Sequence, residues 1–544
     1  MKKCNLLNLK ILTLLLFLIS TSAFAQRFEV EKGVLTNGAE VVTDATVSGG
    51  SYVNLKGGAI AVTINIAQTG FYNFYLNVSS PFGDKTNIFD IDGSSVNFSL
   101  KQSSTYQSIE VVFGTKLTQG NHIISIKNSW GWINIDYFEV EKVDPVNRFT
   151  NLSDTLVTPN STNEAKRLFQ FMSDNYGKKI ISGVMTLGSM DEVNWLFQNT
   201  GKKPALVGID FMHVNRGYTW YNNDEPTNDA LNYYNSNGIP AFCWHWRDPS
   251  RKTEAFYTAD TDFDVRKIFD KNSAEYNAMI QDIDFVSAKL KKLQDQKVAI
   301  LWRPLHESGG GWFWWGAHGG AACVELWHVM YDRMVNYHGI KNMIWVWTGT
   351  ASEKTTFYPG DKYVDVVGID YYSEGNHLSQ INEFNILNRA YPTKLVTITE
   401  CGSFPDPDNL VADQAAWSYY MPWYGNYVRQ SKNNSLDLWK KTFNHDYVLT
   451  QDEMPNLRTY TSPVTSSKII SAEDLNVFPT LVTDHFTIQS KNAIGEIRIF
   501  NLSGTMVKSL TESQHQAVVS IDSLPSGMYL VKTDENKSFK VIKK

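Results

Sequence analysis

Three stretches of different hydrophobic rhythm divide the chain. From Arg27 to about Lys142, short runs alternate apolar and polar positions, as in Phe71-Tyr72-Asn73-Phe74-Tyr75-Leu76 and His122-Ile123-Ile124-Ser125-Ile126, with Gly and Asn between them. Period-two alternation turns one face of each strand inward, so this stretch predicts an antiparallel β-sandwich. Between Asn151 and about Met454 the rhythm changes to apolar runs alternating with helical periodicity, the pattern of βα units around a parallel sheet. Eight runs read as strands: Lys179–Met185, Pro204–Phe211, Ile239–Trp246, Val298–Leu305, Met343–Thr348, Val364–Asp370, Lys394–Glu400 and Ser418–Gly425. Helical periodicity over Asn163–Asn175, Ser273–Leu293 and Ala321–Tyr337 falls between them. Eight strands close a barrel, whereas a doubly wound open sheet would want a Gly-rich phosphate loop after its first strand, and none is there. After a Thr- and Ser-rich stretch at Thr459–Ser467, short alternating strands return, among them Phe486-Thr487-Ile488 and Met528-Tyr529-Leu530-Val531. The expected fold class is α/β: a (β/α)8 TIM barrel over 153–458, a β-sandwich over 27–143 and a small β-domain over 475–544.

Residues 1–25 read as a signal peptide, with Lys2 and Lys3 ahead of the apolar run Ile11–Ile19 and a small-residue cleavage site at Ala23-Phe24-Ala25. The run falls short of the roughly 20 residues a bilayer span needs, and no later stretch is long enough, so no stable membrane span is expected. The expected location is outside the cell or on its surface. Of the four cysteines, Cys4 lies in the leader; the remaining Cys243, Cys323 and Cys401 make neither a disulfide framework nor a metal spacing.

Composition adds two points. A net charge of −6 gives no reason to expect nucleic acid as a partner. An aromatic content of 13%, with 16 Trp and 26 Tyr, suits either a large core or flat surfaces that stack on sugar rings.

Two carboxylates decide between those readings. In a (β/α)8 barrel the catalytic side chains stand at the C-terminal ends of strands. Glu307 follows the fourth strand in Trp302-Arg303-Pro304-Leu305-His306-Glu307, and Glu400 closes the seventh in Lys394-Leu395-Val396-Thr397-Ile398-Thr399-Glu400. Strands four and seven face each other across the mouth. Paired carboxylates so placed suit glycoside cleavage, one as acid and the other as nucleophile, at about 5–5.5 Å in a retaining enzyme.

Residues 302–315, Trp-Arg-Pro-Leu-His-Glu-Ser-Gly-Gly-Gly-Trp-Phe-Trp-Trp, resemble the acid/base segment of glycoside hydrolase family 26, and the strand ending at Glu400 resembles its nucleophile segment. The resemblance spans about residues 155–455. It implies a secreted retaining endo-β-1,4-mannanase acting on mannan, galactomannan or glucomannan, with Glu307 as acid/base, Glu400 as nucleophile and no cofactor for catalysis. Minor members of the family act on β-1,3-xylan or mixed-linkage β-glucan, which are the alternative substrates. A noncatalytic carbohydrate-binding surface protein is the reading from another class, and carboxylates at both strand ends count against it.

The same resemblance places further residues at the substrate: His306 beside the acid, Trp312 as a stacking tryptophan, the pair His245 and Trp246, Trp423 as the platform under the reacting sugar, and Trp347 on its wall. Asp370, Tyr371 and Tyr372 stand at the end of strand six, where one of the tyrosines would donate a hydrogen bond to the nucleophile; strand alternation decides which.

The opening Phe28-Glu29-Val30-Glu31 and the closing stretch Trp130 to Val140 resemble carbohydrate-binding modules of families 35 and 6. That resemblance implies a structural Ca²⁺ on Glu29, Glu31 and Asp136, and sugar contacts by Trp130, Asn134 and Tyr52. The last 70 or so residues, with Leu475-Asn476-Val477-Phe478-Pro479, Ile499 to Gly504, Leu524 to Val531 and the ending Val541-Ile542-Lys543-Lys544, resemble a type IX secretion sorting domain, which implies the type IX export machinery as a partner. Thr480-Leu481 stands where such domains have Asn-Pro. A monomer is the expectation for a secreted hydrolase.

Overall fold

The structure, a computed structural model, describes residues 25–143, 151–462, 475–478, 481–490, 493–501, 505–533 and 538–544. The expected leader lies outside these residues apart from Ala25, as do Pro479, Thr480 and the stretch 502–504 of the sorting-domain resemblance. Residues up to Thr461 form one compact unit and those from Ser462 a second.

The N-terminal module packs two antiparallel sheets face to face. One runs in the order 40–43, 51–54, 134–143, 70–80, 103–117, with 26–29 added to 134–143; the other runs 34–36, 59–66, 120–130, 85–91, 94–100. The inward positions of the alternating runs meet as one core of Phe74, Leu76, Phe89, Ile124, Ile135 and Phe138, all buried.

In the barrel, strands one to eight are Ile180–Thr186, Leu206–Asp210, Ile239–Cys243, Ile300–Arg303, Met343–Thr348, Val366–Tyr371, Leu395–Cys401 and Tyr419–Pro422. Each pairs in parallel with the next, and strand one pairs with both strand eight and strand two, so the sheet closes; Val448–Leu449 adds to strand one from outside. All seven residues of strand one are buried, as expected where helices cover the outer face and side chains fill the interior. The helix Asn163–Asn175 starts where Thr162 accepts a hydrogen bond from the Ala165 amide. The single helix expected over 321–337 is instead an α-helix over Gly320–Tyr331 followed by a π-helical turn over Asp332–Tyr337, where Asp284 holds both Arg333 and His338.

Alternation along strand five sorts its aromatic residues. Trp345 packs on Trp327 and Tyr331 of the outer helix, while Thr348 reaches Thr399 inside the barrel at 3.1 Å. Trp347, two residues from Trp345, therefore also points outward.

The second unit has a three-stranded sheet (475–478, 485–490, 516–520) and a five-stranded one (481–482, 538–543, 527–533, 495–500, 506–512) over a small core of Phe486, Ile488, Ile497, Ile499, Val519 and Val531. Among the described residues no helix is long and apolar enough to cross a membrane, and Cys243, Cys323 and Cys401 are buried free thiols.

Candidate active site

Strand seven delivers Glu400 to the barrel mouth and strand six delivers Asp370 beside it: the register shifts after Ile369, so that Asp370 pairs with Glu400 and Tyr371 with Cys401. Glu307 arrives from the turn after strand four. Leu305 and Glu307 both adopt left-handed backbone conformations, φ 51° and 52°, a strained arrangement that lifts the carboxyl over the mouth. One carboxylate oxygen from each of Glu307, Asp370 and Glu400 lies within 4.8 Å of the other two. The carboxyls of strands four and seven thus meet closely at the mouth.

Each oxygen of Glu400 is held. Tyr372 Oη donates to Oε1 at 2.5 Å and Arg303 Nη2 donates to Oε2 at 2.6 Å. Tyr371, the alternative donor, accepts instead from Asn376 Nδ2 at 2.8 Å, which settles the choice for Tyr372. Arg303 Nη1 donates to Asp370 Oδ2 at 2.8 Å, and Thr399 donates to Asp370 Oδ1 at 2.7 Å. Burial pushes the Asp370 carboxyl well above its usual range, with Glu400 and Glu307 adding to the shift against the pull of Arg303. Asp370 thus stands at the floor of the mouth beside the two glutamates and anchors Arg303.

Glu307 has the environment of an acid. Burial raises its pKa first and the Glu400 charge second, opposed by the hydrogen bond from Trp312 Nε1 to Oε2 at 2.9 Å. Trp312 itself is half exposed. Below it runs a polar chain: Asp210 accepts from His245 Nδ1 at 2.6 Å, and His245 Nε2 stands 3.2 Å from His306 Nε2. A carboxylate only accepts, so His245 Nδ1–H donates to Asp210, and the two Nε2 atoms share a second hydrogen bond. Burial, then Arg303 and His245, hold the His306 pKa well below its usual value, which keeps it neutral beside the acid. Trp423, one residue past strand eight, lies half-buried with its ring 5.4 Å from His245.

Two other tryptophans depart from expectation. Trp246 is 1% exposed, stacked on Trp244 at 4.1 Å and donating Nε1–H to Asp282 of the helix Ala274–Asp295. Trp347, also 1% exposed, packs between Tyr358 and Tyr391. Both belong to the layer between strands and helices. With His245 facing inward, its neighbour Trp246 must face outward.

Sequence reasoning missed Arg303, although it stands inside the quoted Trp-Arg-Pro segment; a buried guanidinium needs carboxylate partners. It also missed Tyr257, whose ring stacks on Phe313 at 5.4 Å and whose hydroxyl feels the charges of Glu307 and Glu400. No periodicity marks that loop. A third omission is the exposed Trp220, stacked on Tyr218 at 5.4 Å in the loop after strand two, where three aromatics in four residues were a readable signal.

In the module, the buried oxygens Glu29 Oε2, Glu31 Oε2 and Asp136 Oδ1 have no hydrogen-bond partner among the described residues, and burial followed by the charges of Glu29 and Glu31 raises the Asp136 pKa. The three acids are set more loosely than the two groups whose ligand atoms fall within 4.8 Å, Asp210/Cys243/His245 and Glu307/Asp370/Glu400. Trp130 is 67% exposed beside Lys85, and Tyr52 and Asn134 lie on adjacent strands.

Known proteins agree with this layout. The sequence model of glycosyl hydrolase family 26 matches residues 157–453, that of carbohydrate binding module family 35 matches 26–143, and that of a secretion system C-terminal sorting domain matches 476–544. Mannan endo-1,4-beta-mannosidase A of Piromyces sp is 33% identical over 463 residues, 82% of this chain and 75% of that protein. A crystal structure of a two-domain β-(1,4)-mannanase from Podospora anserina, a family 26 domain with a family 35 module, superposes with TM-score 0.56 at 32% identity, covering 80% of this chain and 99% of the other. A β-mannanase from a symbiotic protist of the termite Reticulitermes speratus, complexed with gluco-manno-oligosaccharide, gives 0.53 at 42% identity over 56% of this chain and 99% of its own.

Proposed function

The chain belongs to glycosyl hydrolase family 26, and from that membership and the geometry at the barrel mouth we propose that it cleaves β-1,4-mannan, galactomannan or glucomannan internally, with retention of configuration. The observation that carries the reading is the close meeting of Glu307 and Glu400, one carboxyl with its pKa raised by burial and by its neighbour's charge, the other held by two donors. Glu400 attacks the anomeric carbon while Glu307 gives its proton to the departing glycosidic oxygen, leaving a glycosyl ester on Glu400. Esterification removes the Glu400 charge, one of the two causes that raise the Glu307 pKa, so that pKa falls and Glu307, having given up its proton, stays ionised and free to take one from the water of the second displacement. Trp423 beside His245 and Trp312 on the acid offer the aromatic faces for the sugars next to the reacting bond, and the hydrogen-bonded His245–His306 pair supports this reading of the floor beneath the acid. The protein is secreted or displayed at the cell surface, consistent with its sorting domain, for which type IX export is the matching route.

The test is product analysis on mannohexaose and galactomannan, with the anomer of the first product followed by NMR. Retention with mixed short oligomers is expected, and Glu400→Ala should lose activity by about four orders of magnitude or more. Inversion, or a loss of only a few-fold, would overturn the assignment.

For the module, the orphaned oxygens of Glu29, Glu31 and Asp136 fit a structural Ca²⁺, which takes oxygen ligands and would neutralise their repulsion. Chelation should then lower the unfolding midpoint of the module, and added Ca²⁺ should restore it; a midpoint indifferent to both would exclude the ion.

A further inference from the structure

The helix Ile381–Ala390 leads into strand seven, and the helix Pro407–Asp413 follows it. The N-terminal module grips both. Helix 381–390 carries two buried faces: Ile381, Phe384 and Leu387 belong to the barrel core, while Ile386 packs against the core of the module. An outer barrel helix ordinarily turns that second face to water.

The contact is specific as well as apolar. In the module strand Ser103–Leu117, Phe113 and Gly114 together oppose Asn73, a bulge that takes Gly114 out of the ladder with φ 59°. The freed Gly114 amide donates to Asn73 Oδ1 at 2.8 Å, and its carbonyl accepts from Asn385 Nδ2 at 3.0 Å in a buried setting. One turn on, Arg389 pairs with Glu110 and lies over the Phe113 ring, 4.6 Å from its centroid. On the far side of strand seven, Lys116 Nζ donates at 2.7 Å to the carbonyl of Ala412 in the last turn of helix 407–413, where main-chain oxygens lack helical partners. The two helices are joined to each other by Ser379 Oγ, which donates to Asp413 Oδ2 at 2.5 Å.

We propose that the module is a brace for the strand that carries the nucleophile: through Asn385, Ile386 and Arg389 on one side and Ala412 on the other, it fixes the two helices that flank Glu400. The proposal rests on Glu400 being the nucleophile. Strand seven is packed against helix 381–390, so loosening that helix lets the carboxylate drift from the anomeric carbon, and small misplacements are costly in rate. These interface residues are positioning residues, distant from substrate.

The full chain carrying Asn385→Ala, Arg389→Ala or Glu110→Arg tests this. Each should lower the unfolding midpoint of the barrel and reduce kcat on mannohexaose by about threefold to tenfold, a coupling typical of packed elements, with KM unchanged. The charge exchange Glu110→Arg with Arg389→Glu should recover much of the loss. Wild-type midpoint and kcat in the single variants would overturn the brace, as would a loss of kcat/KM that comes only from a rise in KM. Undiminished activity of Glu400→Ala would instead overturn the nucleophile reading, so the two failures are distinct.

Discussion

Tyr372 donates to Glu400 Oε1 over 2.5 Å while its ring stays 45% exposed at the barrel mouth. The bond therefore serves the carboxylate and not the packing. Hydrogen bonds to a charged group contribute about 1.5–3 kcal/mol, so Tyr372→Phe should lower kcat by roughly ten- to a hundredfold with the unfolding midpoint unchanged. Steady-state kinetics beside a thermal melt checks this, and an undiminished kcat would remove Tyr372 from the machinery.

The pH profile follows from Glu307. Its pKa is raised, and the acid must hold a proton, so activity is present below that pKa and is lost as pH rises through it. Trp312 Nε1–H favours the ionised form. Removing it by Trp312→Phe raises the pKa further, and the alkaline limb of kcat/KM should move to higher pH; a limb that moves downward would contradict the assignment.

Trp423 and Trp347 should behave oppositely. Trp347→Ala opens a cavity in the layer shared with Tyr358 and Tyr391 and should cost about 3–5 kcal/mol of stability. Trp423→Ala should leave the melt almost untouched and lower kcat/KM by on the order of tenfold or more, the loss of one aromatic contact with the sugar. Paired melts and initial rates separate the two, and similar melting losses for both would place Trp423 in the core.

Asp282, 3% exposed on the helix Ala274–Asp295, accepts from Trp246 Nε1 at 2.9 Å and from Arg216 Nε at 2.7 Å, and also receives Arg251. It ties the loops after strands two and three to the barrel wall. Asp282→Asn leaves two guanidinium groups without their anion, and a broken buried pair costs about 3–5 kcal/mol. Chemical denaturation should show that loss; a shift under about 1 kcal/mol, the size of a surface pair, would mean the arginines find other partners.

The barrel was legible because parallel strands covered on both faces leave long apolar runs, and strand five, Met343–Thr348, falls where its run predicted. The tryptophans were harder to sort. Trp246 and Trp347 sit at strand ends as sugar contacts would, but inward and outward positions alternate, and His245 and Thr348 had already taken the inward ones. Asp370 and Tyr372, two positions apart, both reach into the mouth, so alternation favours Tyr372 over Tyr371 once the inward face of strand six is known. Arg303 escaped, and with it the role of Asp370 as its anchor, for a related reason: each is defined by a partner on another strand, and partner choice is a long-range property.

Burial raises the pKa of Cys243 and Cys401 well above the ordinary range and that of Cys323 to about 12. Only a thiolate attacks a disulfide or an alkylating reagent, so these three thiols are silent while the barrel stays folded. Each sulfur becomes available when the structure around it opens, and the rate of labelling by a thiol reagent counts those openings, a built-in clock for the lifetime of the enzyme outside the cell.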